Sequence, residues 1–73
     1  MFLTDLDDGD LAVIENIPDG DAGKKLSELG ICTGSELEKI TGSPLGNIVT
    51  VEINGNFYAI TNDIAEKMLV RIK

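Results

Sequence analysis

Ala22, Leu26 and Leu29 recur at i, i+4 and i+7 in the stretch from Asp21 to Gly34. This spacing lays one apolar stripe along a helix, and it predicts that all three side chains face the core. Asp21 can accept from the free backbone N–H groups at the helix start, and Asp19 adds negative charge at the same end. Gly30 can adopt the left-handed conformation that stops a helix, which would return Ile31 onto Leu26 in a Schellman arrangement. Cys32-Thr33-Gly34-Ser35 then reads as a type II turn with Gly34 at the position of positive φ. A helix of little more than two turns is not stable alone, so it must dock on a sheet.

The remaining pattern is β. Leu3, Leu6 and Leu11 punctuate an acidic opening, Thr4 to Asp10, that reads as a loop pivoting at Gly9. Asp10 to Ile17 is rich in branched residues and at first apolar on both parities, as in a strand covered on both faces. Pro18 ends it. Glu36 to Ile40 alternates imperfectly, because Leu37 and Ile40 differ in parity, and a bulge would reconcile them. Gly42 to Asn47 is dense in chain breakers and predicts an exposed loop with Leu45 near its tip. Ile48 to Ile53 and Asn56 to Ile60 flank Asn54-Gly55, a strong type I′ hairpin signal. Pairing across that turn places Val49, Val51, Ile53, Tyr58 and Ile60 on the core face, and Thr50, Glu52, Phe57 and Ala59 on the other. Phe57 must then be covered by another element or stand exposed. Thr61 to Lys67 carries capping residues for one or two helical turns. Met68 to Ile72 closes the chain as a strand with Met68, Val70 and Ile72 inward. Five short strands with one small helix predict a mainly β fold, a small, partly open barrel of the SH3-like kind.

Seventy-three residues form one domain near the lower size limit for a single apolar core. One cysteine rules out an internal disulfide framework, and the lack of histidine removes the usual zinc ligand sets. No apolar run reaches the length of a membrane span, and Met1 to Asp8 lacks the features of a signal peptide, so the expected location is the cytoplasm. The net charge of −7, with only six basic residues, argues against nucleic acids and anionic membranes, whose recognition needs clustered Lys and Arg. Proteins, cations or small molecules are left as partners.

Without histidine, the commonest acid–base residue, catalysis is not expected. Cys32 follows a helix C-terminus, whose negative end opposes a thiolate, and is read as a small buried hydrophobe. Asp5, Asp7, Asp8 and Asp10 could offer oxygen ligands to a hard cation. Their spacing fails the EF-hand pattern, however, so weak nonspecific cation binding by a solvated turn is expected, with no resident cofactor. Gly20 to Lys25 only superficially resembles a phosphate loop, since the glycine spacing and the hydroxyl after the lysine are both wrong. Lys24, Lys25 and Glu28 on the polar face of the helix, with Leu45 and Asn47 of the loop, are the candidate partner-binding residues. The plain alternative for the helix face is a solvated surface.

Leu6-Asp7-Asp8-Gly9, then Lys24 to Ile31 with Gly34, then Ser43 to Asn47 resemble the FeoA family, the small accessory proteins of ferrous iron transport. The resemblance continues through Val51 to Gly55, Ala59-Ile60, Ala65 and Val70, and so spans nearly the whole chain. It implies an SH3-like barrel with an inserted helix that acts with FeoB, the membrane iron transporter with a GTP-hydrolysing domain. A monomer is expected, with self-association left open. The chain departs from the family pattern at Thr33, where proline is usual, and at Ile60-Thr61, where a leucine-arginine pair is usual. The same barrel resembles the C-terminal domain of iron-dependent repressors of the diphtheria-toxin-repressor type. Two other readings remain beside it, an iron(II) carrier or sensor working through the acidic turn, and an SH3-like peptide-binding module.

Overall fold

The hairpin that alternates most cleanly in the sequence forms one side of the sheet, and the bulged segment from Glu36 lies at its centre. In the computed structural model, which describes residues 1–42 and 46–73, strand β1 spans Leu11–Asn16, helix α1 Gly20–Glu28 and β2 Glu36–Gly42. Strands β3 (Ile48–Ile53) and β4 (Asn56–Thr61) follow, then the short helix α2 (Asn62–Ala65) and β5 (Leu69–Ile72). The five strands make one antiparallel sheet in the order β4-β3-β2-β1-β5. Leu45 lies outside the described residues.

The hairpin forms as its turn residues dictate. Asn54 and Gly55 have φ of 54° and 84°, and Val49 faces Ile60 while Val51 faces Tyr58. The bulge expected in β2 is present as a register shift between Lys39 and Thr41. The core gathers Leu3, Leu6, Ala12, Ile14, Leu26, Ile31, Leu37, Val49, Val51, Ile53, Ile60, Ala65, Met68 and Val70. No polar or charged residue is buried among the described residues, so burial there carries little desolvation cost.

The acidic opening is more ordered than a simple loop. Leu3–Asp5 form a 3-10 turn, and Leu3 and Leu6 enter the core. The carboxylates serve the backbone: Asp5 Oδ2 accepts from the Phe2 N–H and Asp10 Oδ2 from the Asp7 N–H, both at 2.8 Å. Lys39 ties this segment to β2, its Nζ donating to the Leu6 carbonyl and its N–H to the Asp10 carbonyl. The N-terminus also covers one edge of the sheet, because Phe2 bridges Leu69, Val70 N–H donates to the Met1 carbonyl, and Leu3 N–H donates to the Met68 carbonyl.

Two expectations about strands need correction. Leu11 is half-exposed, so β1 is not covered on both faces; the outer face of the sheet is open to solvent. Ile72 lies opposite Ala12, on the core-facing side, yet it is half-exposed at the end of its strand.

Candidate functional site

Helix α1 starts at Gly20, with Asp19 as N-cap and Asp21 already inside the first turn; no side chain caps the start. It stops as predicted. Gly30 has a φ of 85°, its N–H donates to Ser27, and the Ile31 N–H donates to the Leu26 carbonyl at 2.9 Å. Those two bonds are the Schellman pair, and they carry Ile31 into the core beside Leu26.

That reversal overturns the expected stripe. Leu26 is 4% exposed, whereas Leu29 is 56% exposed. Leu29 is the C-cap, and the core position it was expected to fill is taken by Ile31, two residues later, after the chain has turned back. The buried face of α1 runs instead through Gly23 and Leu26, one turn apart, and Ala22 is only partly buried. Gly23 packs directly on the chain entering the helix: a Cβ there would sit 2.0 Å from the Pro18 carbonyl oxygen. The same turn corrects Cys32, which is exposed rather than buried. It holds the first position of the Cys32–Ser35 turn, closed by Ser35 N–H to the Cys32 carbonyl at 3.0 Å, with Gly34 at a φ of 93°. Its own N–H reaches the Ser35 hydroxyl at 3.3 Å.

With Leu29 turned outward, an apolar groove of about 360 Å³ opens between α1 and β4. Ala22, Lys25 and Leu29 form its helix wall, Phe57 to Thr61 its strand wall, and Leu26, Ile31 and Ile64 complete the lining. Phe57 is 64% exposed, so the aromatic ring that needed cover has none from α1. The Tyr58 hydroxyl spans the groove to donate to the Leu29 carbonyl at 3.4 Å.

Thr61 also borders a second depression, lined by Gly46, Asn47, Ile48, Asn62 and Asp63. Exposed Asn47 therefore lies in a depression that shares Thr61 with the groove. Its carbonyl accepts from Asn62 N–H at 2.9 Å. Lys24 and Glu28 are exposed on α1; only Lys25 of the three lines the groove. Of the predicted set, Lys25 lines the groove, Asn47 lines the neighbouring depression, and Lys24 and Glu28 lie outside both. Sequence reasoning missed Leu29. For Phe57, its parity in the hairpin was a sufficient signal.

Elsewhere the described residues offer little chemistry. No group of three or more carboxylate or thiol side chains gathers in a metal-holding arrangement among them. A depression on the outer face of the sheet is lined by Glu36, Glu38 and Glu52, with Glu38 directly opposite Glu52 and Glu36 paired with Lys73. No helix among the described residues is long and apolar enough to cross a membrane.

The family model of the FeoA domain matches residues 1–72. The solution structure of FeoA from Chlorobium tepidum is 30% identical, with a TM-score of 0.90 over 99% of this chain and 70% of that one. FeoA from Stenotrophomonas maltophilia, solved with zinc and described as an SH3 domain protein, is 25% identical, with a TM-score of 0.80 over 97% of this chain and 89% of that one. The manganese regulator SloR, 16% identical with a TM-score of 0.86 over 34% of its length, shares the fold alone. No curated protein sequence matches.

Proposed function

The chain belongs to the FeoA domain family, and from that premise we propose that it is a non-catalytic, cytoplasmic accessory protein of ferrous iron uptake that docks on the cytoplasmic part of a FeoB-type transporter and modulates it. The observation that carries this reading is the exposed apolar surface formed by Leu29 and Phe57 on a domain whose carboxylates are mostly solvated. A groove open on a small rigid sheet is suited to holding another protein. The Stenotrophomonas protein is described as a candidate bacterial ferrous iron transport activating factor, which fits the same role. Lys25 and Asn47 border the surface, Lys24 and Glu28 flank it, and Leu45 belongs to the same contact set by its place in the loop sequence.

Calorimetric titration of the chain into the isolated GTP-hydrolysing domain of the transporter tests the proposal. Saturable one-to-one binding is expected, weakened severalfold by Leu45→Ala and by Leu29→Asp, with the circular dichroism of both variants unchanged. Absence of saturable heat with the natural chain would remove the docking role.

The carrier reading is less well supported, because Asp5 and Asp10 already spend carboxylate oxygens on local backbone N–H groups. Iron(II) is then a cargo of the transporter, and this chain binds it only weakly. Anaerobic calorimetry with iron(II) should give shallow, unsaturated heat that changes little in the Asp7→Asn, Asp8→Asn double variant. A stoichiometric isotherm abolished by that change would establish the carrier role instead.

A further inference from the structure

We infer that the α1/β4 groove takes an extended, lysine- or arginine-bearing segment of the partner by β-strand addition to the free edge of β4. This rests on the docking role proposed above and names how the contact is made.

In a hairpin with a two-residue type I′ turn, the residues flanking the turn exchange hydrogen bonds and every second pair thereafter does the same. Ile53–Asn56, Val51–Tyr58 and Val49–Ile60 are therefore the bonded pairs. Phe57 and Ala59, opposite Glu52 and Thr50, direct their N–H and C=O groups away from β3. Strand β4 ends the sheet on that side, and no backbone hydrogen bond from Phe57 or Ala59 to another segment occurs among the described residues. The opposite edge, at β5, is filled by residues 1–3. One edge is closed by the chain itself, and the other opens into the apolar groove.

Edge strands are ordinarily guarded by charge, proline or a bulge. Asn56–Thr61 contains no charged residue and no proline, and its register with β3 is uninterrupted. An edge of this kind holds an extended segment through backbone bonds, with alternate side chains supplying specificity. A helix or a compact ligand would leave those donors and acceptors unpaired. One apolar side chain of the added strand would pack between Leu29 and Phe57.

Charge selects the partner. The chain carries −7, which opposes pairing with a second copy and draws a cationic segment. Asp63 lies beside Thr61 at one end of the groove, and Glu52, across the ladder from Phe57, belongs to the acidic outer-face depression with Glu36 and Glu38; neither Asp63 nor Glu52 joins an ion pair among the described residues. A basic residue beyond Thr61 matches Asp63, a second answers the net acidity of the sheet's outer face, and Lys25 of the helix wall is a cation to be avoided.

The test uses the full chain and the fluorescent nonapeptide Lys-Thr-Val-Thr-Val-Thr-Val-Thr-Lys. Saturable binding is expected, at least tenfold weaker for the peptide N-methylated at every internal amide and for the version with glutamate at both ends. In the protein, Ala59→Pro removes an outward N–H without touching the β3 ladder, and should weaken peptide and transporter domain at least tenfold each. Should that variant fail to fold, hydrogen exchange in the natural chain decides: saturating peptide must slow the Phe57 and Ala59 amides at least tenfold. Equal binding of the methylated peptide, or unchanged exchange, overturns strand addition. Equal binding of the glutamate peptide overturns the basic partner. A transporter domain bound as tightly by folded Ala59→Pro also overturns strand addition while leaving docking intact, and a transporter domain that does not bind the natural chain defeats docking while the peptide result stands. A dimer at micromolar concentration, lost in Ala59→Pro, would assign the edge to a second copy and overturn the inference.

Discussion

Leu26→Asp is expected to leave the chain unfolded at 25 °C, whereas Leu29→Asp, three residues further on at the helix C-cap, leaves it folded and impairs only binding. Leu26 is 4% exposed and sits in the core with Ile31, Val51 and Ile60. Removing its side chain from that contact forfeits about 2–3 kcal/mol of apolar burial, and an unpaired carboxylate in its place adds several more. A domain of 73 residues holds about 4–10 kcal/mol in total, so the substitution consumes all of it. Leu29 already faces solvent, and its replacement changes stability by about 0.5 kcal/mol or less. Far-ultraviolet circular dichroism separates the two outcomes. A folded Leu26→Asp or an unfolded Leu29→Asp would mean that the helix is seated differently.

Gly23→Ala should destabilise the domain by about 3 kcal/mol or more, lowering the midpoint of thermal unfolding by at least about 12 °C. On helix propensity alone the change would stabilise by about 1 kcal/mol, so the two arguments predict opposite signs. Packing wins because a methyl group would meet the Pro18 carbonyl oxygen at 2.0 Å. That atom is backbone at the entrance to α1 and cannot swing aside as a flexible side chain would. Relief requires α1 to move off the sheet, opening the seat of Leu26. Differential scanning calorimetry reads the shift directly, and a raised midpoint would show that α1 packs elsewhere.

These two residues also show what the sequence could and could not disclose. The hairpin was legible because Asn54-Gly55 demands positive φ at both positions and the flanking alternation has a fixed period; its register and faces follow from those facts. The helix stop at Gly30 was legible for the same reason. Leu29 was misread because helical periodicity was extended one position beyond the last helical residue, where the chain reverses and Ile31 takes the buried place. Cys32 was misread because its usual preference for the interior is weaker than the geometry of the turn it opens. Gly23 gave no signal, since close approach of helix to backbone is set by tertiary packing. The groove was only half legible. Phe57 could be assigned to the outer face from parity, but that β4 lies at an open edge depends on strand order, which no local pattern encodes.

The acidic opening shows the same division. Its leucines were recognisable as apolar punctuation, yet their burial depends on the N-terminal segment lying along β5. Its aspartates allowed two readings, because carboxylates that serve backbone N–H groups and carboxylates that await an ion have the same composition. The structure shows the backbone role for Asp5 and Asp10.

The central claim, that the domain acts by docking through the face between α1 and β4, is tested most directly by titrating the isotopically labelled chain with the transporter's GTP-hydrolysing domain and following amide resonances by NMR. The account predicts that Ala22, Leu29, Phe57, Ala59 and Thr61 shift or broaden first and saturate together, while Asp7, Glu15 and Arg71 on other surfaces stay in place. Changes concentrated at Asp7, Glu15 and Arg71, with the α1 and β4 resonances unmoved, would contradict it.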